Sequence, residues 1–198
     1  ALINVDEQGE NSITVASGAN GNLLPQEVDQ VLNATADQVK IVLLQLEIPL
    51  PSVIHAIRKS AAISKIIIVN PAPAHQLPDD IYPLIDYLTP NEQEAALLAG
   101  IPINNITDVA RAADILLKKG VRTVIITLGE NGSYIASPTL RKYIPARKVK
   151  AVDTTAAGDV FNGALATALA EDMPLEEAVD FAASAAAISV TRLGAQAS

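Results

Sequence analysis

The stretch Asp153-Thr154-Thr155-Ala156-Ala157-Gly158-Asp159 sets two carboxylates around a run of small residues. Val160-Phe161-Asn162-Gly163-Ala164-Leu165 follows with an apolar helical pattern. A turn of Ala156, Ala157 and Gly158 lets backbone N–H groups approach a ligand, and the helix behind it aims its positive end at the same spot. Such a site takes anionic oxygens. Asp159 beside it has the chemistry of a proton acceptor, which points to transfer of a phosphoryl group to a hydroxyl. The competing reading makes Asp159 a helix N-cap worth about 1 kcal/mol. A cap explains neither the three small residues before it nor the second acid, Asp153.

Other polar residues stand where strands give way to loops. Asn91-Glu92-Gln93-Glu94 opens a helix after Thr89-Pro90. From spacing alone the stronger reading is a cap, with Asn91 at the helix start and Glu94 three residues on favouring the dipole. The functional alternative puts both on one face, one turn apart, to hold the hydrated Mg²⁺ that bridges nucleotide phosphates. Thr127-Leu128-Gly129-Glu130-Asn131-Gly132 reads as a β-turn or as a loop whose backbone and Thr127 hydroxyl approach a nucleotide. Walker A and G-x-G-x-x-G patterns are both absent, so a nucleotide site here must be of another kind. His55 falls on a helix and His75 in a proline-flanked loop, and with no third ligand in view neither is read as a metal ligand or a base. Gly18–Asn22 reads as a plain turn, and Arg192 as a residue that favours a helix dipole.

The elements that must position these residues alternate. Ala1–Val5 and Ser12–Ala16 are β-like runs around a hairpin signal, Asp6–Asn11. Strands are expected over Ile41–Glu47, Ile66–Asn70, Asp86–Thr89 and Val121–Leu128, with a weaker meander at Ser133–Ala136 and Tyr143–Pro145. Helices are expected over Pro51–Ile63, Asn91–Ala99 (closed by Gly100), Thr107–Lys119 (closed by Gly120), Gly158–Ala170 and Leu175–Thr191. This order predicts an α/β fold, a mostly parallel central sheet covered by helices. Ligands of such sheets sit at the carboxyl ends of the strands, where Glu47, Asn70, Asn91, Glu94, Thr127, Gly129 and the Asp153 loop fall.

Bulk composition narrows the classes further. Hydrophobic residues make up 49% and charged residues 18%, as in soluble globular proteins. The net charge of −8 argues against a nucleic-acid surface, and two Phe, four Tyr and no Trp leave little for base stacking. No apolar run approaches the roughly 18 residues of a membrane span, and the first residues lack the basic-then-apolar order of a signal peptide. Zero cysteines exclude a disulfide framework and fit a reducing cytoplasm.

These residues together resemble a known family. Asp153–Phe161 is similar to the second signature of the ribokinase-like (phosphofructokinase B type) sugar kinases. Asn91-x-x-Glu94 resembles their magnesium motif, and Thr127-Leu128-Gly129-x-x-Gly132 their nucleotide-binding turn. Gly9–Ile13, Gly18–Asn20, Leu44–Glu47, Asn70–Ala74 and Thr191–Gln196 look like segments of the ribokinase branch, in its order. The resemblance covers essentially the whole chain, and it implies helices on both faces of the sheet plus the remnant of a small β lid. Residues 1–16 would be that remnant, and 17–198 the nucleotide-binding and catalytic part.

The resemblance implies transfer of the ATP γ-phosphate to the 5-hydroxyl of ribose, with Asp159 as base and the N–H groups of Ala156, Ala157 and Gly158 as anion hole. Asn91 and Glu94 would serve Mg²⁺, Glu47 would face the sugar, and Thr127, Gly129 and Gly132 would line the nucleotide with help from the Ala182–Ser184 region around Ala183. A monovalent cation, usually K⁺, would lie beside the anion hole, held by the Asp153 side chain, carbonyls of Thr155, Val190, Leu193 and Gly194, and the Ser198 hydroxyl. The alternatives are another sugar kinase of the family, for fructose or deoxyribose, or a non-catalytic nucleotide-binding relative. The family also implies a homodimer through the lid. Many of its members carry Gly in place of Ala156. Against the family pattern the chain begins inside the lid hairpin and stops short of the end, so these 198 residues alone are expected to be weakly active or inactive.

Overall fold

Runs of β-branched residues form the centre of the molecule. The computed structural model describes residues 2–5, 11–14 and 16–195, with side chains from residue 16 onward. Four parallel strands lie side by side: β3 (Ile41–Leu44), β4 (Ile66–Val69), β5 (Tyr87–Leu88) and β6 (Thr123–Thr127). Two antiparallel strands, β7 (Ser133–Ala136) and β8 (Arg141–Ile144), extend the sheet in the same order. Ahead of them β1 (Leu2–Val5) and β2 (Asn11–Thr14) pair as a separate antiparallel hairpin. Of the expected hairpin turn, Asp6–Asn11, only Asn11 is described, and it opens β2; 6–10 lie outside the described residues.

Among the described residues six α-helices complete the fold: α1 (Pro25–Thr35), α2 (Leu50–Ala62), α3 (Glu92–Ala99), α4 (Ile106–Lys118), α5 (Ala157–Ala170) and α6 (Leu175–Ser189). Alternation along the strands sorts them onto two faces. Ile67, Val69, Val124 and Ile126 meet Val53 and Ile57 of α2, Ala95 and Leu98 of α3, and Val109 and Leu116 of α4. Ile68, Ile125 and Ile135 point the other way, onto Phe161 and Leu165 of α5 and Val179 and Ala182 of α6. Each such side chain taken fully from water contributes about 1.5–3 kcal/mol. Helices on both faces and a mostly parallel sheet are as the sequence predicts.

Local chemistry fixes the helix ends. Asn91 caps α3, and Gly100 closes it in the left-handed region at φ 70°. Asn105 caps α4 through the N–H groups of Thr107 and Asp108. Two expectations shift. The β3 ladder ends at Leu44 rather than Glu47: past it the Leu46 N–H donates to the Ala72 carbonyl, beyond the end of β4. Helix α1 was not expected at all: of its residues only Leu32 is buried, so the apolar face that would announce it is thin.

Candidate functional site

Strand register brings three polar residues into one row. Leu44 pairs with Val69 and Val69 with Leu88, so Gln45, Asn70 and Thr89 stand side by side at the carboxyl edge of β3, β4 and β5. Helix α5 comes down on that row with its first turn. The side chains then close a ring. Gln45 Nε2 donates to Asp159 Oδ1 at 2.6 Å and to Asn70 Oδ1 at 3.2 Å. Asn70 Nδ2 donates to the Thr89 carbonyl at 2.9 Å, and Thr89 Oγ1 donates to Asn162 Oδ1 at 2.6 Å. Asn162 Nδ2 returns to the Gly158 carbonyl at 2.8 Å.

Asp159 is therefore not an N-cap. Helix α5 starts at Ala157, with Ala156 in the capping position at φ 61° and no side-chain cap bond. Asp159 sits in the third helical position, exposed, with its carboxylate held by Gln45. Gly158 and Asp159, as second and third helical residues, have no carbonyl four back inside the helix to receive their N–H groups. Ala157 spends its N–H on the Thr154 carbonyl at 3.2 Å. A Cβ built on Gly158 would meet nothing within 4 Å, so the approach to this turn is open. Left-handed Ala156 turns the chain from the Asp153 loop into the helix, at a cost of about 1–2 kcal/mol that glycine would avoid.

Asp153 anchors the start of the loop. Its Oδ1 accepts the Thr155 N–H at 2.9 Å, and its Oδ2 accepts the Gly194 N–H at 3.0 Å. The Gly194 N–H, then Thr155, hold this carboxyl below the usual carboxylate value. The Val190 carbonyl lies in the same knot and accepts N–H groups from Val152 at 2.7 Å and Asp153 at 3.1 Å. That spends both of its lone pairs. Leu193 is exposed, and Ser198 lies outside the described residues.

On the other side of the row, Asn91 and Glu94 form the complete capping box that spacing favoured. Asn91 Oδ1 accepts the Glu94 N–H, and Glu94 Oε2 accepts the Asn91 N–H, each at 2.8 Å. Glu94 is only 7% exposed, and burial pushes its carboxyl up against the opposing pull of the Asn91 N–H. Its other oxygen is uncommitted in this box, and a hydrated dication is the partner that suits a buried acid so placed. Asn91 also stands beside Thr127: the two form a parallel bridge, and Thr127 N–H donates to the Pro90 carbonyl at 2.9 Å.

The Thr127 turn runs through a short 3-10 segment, Gly129–Asn131. A Cβ on Gly129 would meet nothing within 4 Å, whereas one on Gly132 would lie 2.1 Å from the Ile144 carbonyl oxygen. Gly129 faces open space, and Gly132 is required by β8. Tyr143 donates its hydroxyl to the Asn131 carbonyl and lines a groove of about 620 Å³ shared with Pro145, Phe181 and Ser184. Ala183, next to Ser184 on α6, is half-buried against the core under α5. Glu47 is exposed two residues beyond Gln45. His55 bonds Asp29 at 2.9 Å and joins α2 to α1, and His75 is exposed, so neither belongs to the site. Among the described residues no three His, Cys, Asp or Glu side chains cluster as a metal site, and no helix is long and apolar enough to cross a membrane.

Gln45, Thr89 and Asn162 carry the ring, and sequence reasoning assigned none of them a role. Only Asn162 left a signal, as a buried amide in the apolar pattern of α5.

A mostly parallel, helix-covered sheet with an acid, an open glycine turn and a capped acidic helix at its strand ends defines an α/β protein with its candidate site at the carboxyl edge of the sheet. The pfkB family carbohydrate kinase profile matches residues 1–198, and the chain belongs to that family. It is 41% identical to a ribokinase of Staphylococcus aureus (strain COL) over 203 residues, covering all of this chain and 65% of that protein. It is 43% identical to a ribokinase of Haemophilus influenzae over 198 residues, covering all of this chain and 64% of that protein. The solved structure of an Arabidopsis thaliana ribokinase complexed with ribose and ATP superposes with a TM-score of 0.89 at 31% identity, over 98% of this chain and 63% of that one. The chain thus spans 64–65% of the length of these two curated relatives.

Proposed function

We propose that the protein carrying this chain is an ATP-dependent sugar kinase that transfers the γ-phosphate to the 5-hydroxyl of D-ribose, giving ribose 5-phosphate. The observation that carries this reading is the Asp159 carboxylate and the unshared N–H groups of Gly158 and Asp159 meeting at one helix start. The ribokinase names of the relatives, and the ribose and ATP named with the Arabidopsis structure, support the choice of substrates.

Asp159 takes the proton of the sugar hydroxyl as that oxygen attacks the γ-phosphorus, and the bond to the bridging β-phosphate oxygen breaks to release ADP. The N–H groups of Gly158 and Asp159 meet the charge that builds on the transferred group, aimed there by left-handed Ala156, and Ala157 joins them if its 3.2 Å bond to the Thr154 carbonyl opens. Gln45 orients the carboxylate until the hydroxyl arrives. Most of the rate comes from positioning and electrostatics. Thr127 and Gly129 border the nucleotide, with Gly132 fixing their turn against β8; the base lies along the groove by Tyr143 and the Ala183–Ser184 stretch, and Glu47 faces the sugar.

Glu94, with Asn91 beside it, would hold Mg²⁺ through water, and that ion would neutralise charge on the phosphates. A monovalent cation would stiffen the loop, held by the oxygen donors Asp153, Thr155, Leu193 and Gly194, with Ser198 as a further ligand. Val190 has no lone pair left for it in this arrangement. The β1–β2 hairpin is the surface for a homodimer, and the absence of cysteine agrees with a cytoplasmic protein.

The test is a panel of ribose, deoxyribose and fructose with ATP and Mg²⁺, with and without K⁺, on the full-length protein. Ribose is expected to give the highest kcat/KM, and K⁺ to raise the rate. Preference for another sugar moves the protein to another branch of the family. Turnover of none of them refutes the reading.

A further inference from the structure

The turn that carries Asp159 is tied to the sheet by one buried pair that the reaction above does not use. Thr89 is 1% exposed at the end of β5, and Asn162 is 3% exposed in the second turn of α5. Asn162 bonds both ways at once, accepting from the Thr89 hydroxyl and donating to the Gly158 carbonyl. Its amide fits only this way round, because the reverse would set two carbonyl oxygens face to face at Gly158. Asn is a poor choice for a helix interior on stability alone, since it competes for backbone bonds and packs worse than Leu or Ala. Its neighbours on the buried face, Phe161, Leu165, Ala168 and Leu169, are all apolar.

We propose that the Thr89–Asn162 bond is a positioning latch that sets the first turn of α5 against the strand ends, so that Asp159 and the Gly158 N–H face the Asn91–Glu94 cap at a fixed distance. The proposal rests on the role assigned to Asp159 above. Thr89 belongs to both halves of the site. Its chain reaches Asn91 two residues on, and its carbonyl takes Asn70, which receives the Gln45 that holds Asp159. The ring leaves the turn at Asp159 and returns to it at Gly158. Any rotation of α5 that relaxes one end must strain the other, so the ring sets angle as well as distance. Both latch residues are buried and act through Asp159 and Gly158.

The test compares Thr89→Val, Thr89→Ser, Asn162→Leu and the Thr89→Val/Asn162→Leu pair in the full-length protein. Val keeps the shape of Thr and removes only the hydroxyl. A displacement near 1 Å at a reacting group costs about 10²-fold. Thr89→Val is therefore expected to lose about 10²-fold in kcat with KM for both substrates little changed, and Thr89→Ser to restore it. The double variant should be no slower than Asn162→Leu alone, as for two partners in one bond. Amide exchange over residues 157–161 should quicken in Thr89→Val. A lower melting temperature with unchanged kcat, or additive losses in the double variant, overturns the latch. Should the wild type phosphorylate no sugar, the reading of Asp159 fails and exchange alone decides the latch: unchanged exchange overturns it and faster exchange supports it.

Discussion

Gly132 and Gly129 share one turn but answer to different constraints, and alanine at each should separate them. Gly132 has φ 100° and ψ −134°, where a side chain costs about 1–3 kcal/mol of backbone strain. Its Cβ would also stand 2.1 Å from the Ile144 carbonyl oxygen and 2.7 Å from the Ala146 nitrogen, against the 3.0 Å that β-carbons respect. The end of β8 would have to retreat by about 1 Å, and forced shifts of packed backbone cost about 1–3 kcal/mol. Gly132→Ala should therefore lose about 4 kcal/mol, a large part of a domain stability of about 5–15 kcal/mol. At Gly129, φ is 56° and the Cβ meets nothing within 4 Å, so Gly129→Ala should lose only about 1–2 kcal/mol. Its added methyl enters the space assigned to the nucleotide, so the KM for ATP should rise. Urea unfolding of both variants at a shared m-value, with ATP kinetics alongside, checks both points. Equal losses, or a loss at Gly132 under about 1 kcal/mol, refutes the division between a structural and a ligand-facing glycine.

Three further outcomes follow from the same geometry. Asp153 is held below its ordinary value of 3.8 by N–H donors, so its contribution to stability is present above that pH and is lost as pH falls through the lowered native value. The stability gap between wild type and Asp153→Asn should narrow on acidification in pH-dependent unfolding, and a widening gap contradicts the anchor. Burial raises Glu94, so that acid favours the fold most at low pH, and the benefit is lost as pH rises through the raised value. Glu94→Gln keeps an oxygen for the Asn91 N–H; it should be at least as stable at pH 7 while needing more Mg²⁺ for half-maximal rate, and a loss above about 1 kcal/mol contradicts this. Ala156→Gly removes about 1–2 kcal/mol of left-handed strain but adds about 0.4–1 kcal/mol of unfolded-chain entropy, so a gain of up to about 1.5 kcal/mol is expected by thermal unfolding. A clear loss would mean that the Ala156 methyl packs usefully.

The fold was legible because its signals are local. β-branched runs such as Ile66–Val69 and Thr123–Thr127, and stops such as Gly100, carry their assignments within a few residues. Helix α1 was illegible for the complementary reason: Leu24 and Val31 are exposed, and Leu32 alone is buried. At the site, the Asn91–Glu94 box could be read from spacing, since both partners lie within one turn. The ring could not, because all of its bonds but Asn162 to Gly158 join residues 19 to 114 positions apart and exist only once register aligns three strand ends. Asp159 shows the limit most clearly. Its position at a helix start left a cap as the competing reading, yet its carboxylate is held by Gln45, 114 positions away just past the end of β3.

The most direct test of the central claim is ribose-dependent ADP release by Asp159→Asn beside the wild type, with ATP binding measured on both. The amide keeps an oxygen for Gln45, so the geometry of the turn is preserved and only the proton acceptor is removed. The account predicts a fall in turnover of at least about 10²-fold with ATP binding nearly unchanged. Turnover within about tenfold of wild type, on the same scale of effects, would contradict Asp159 as the base.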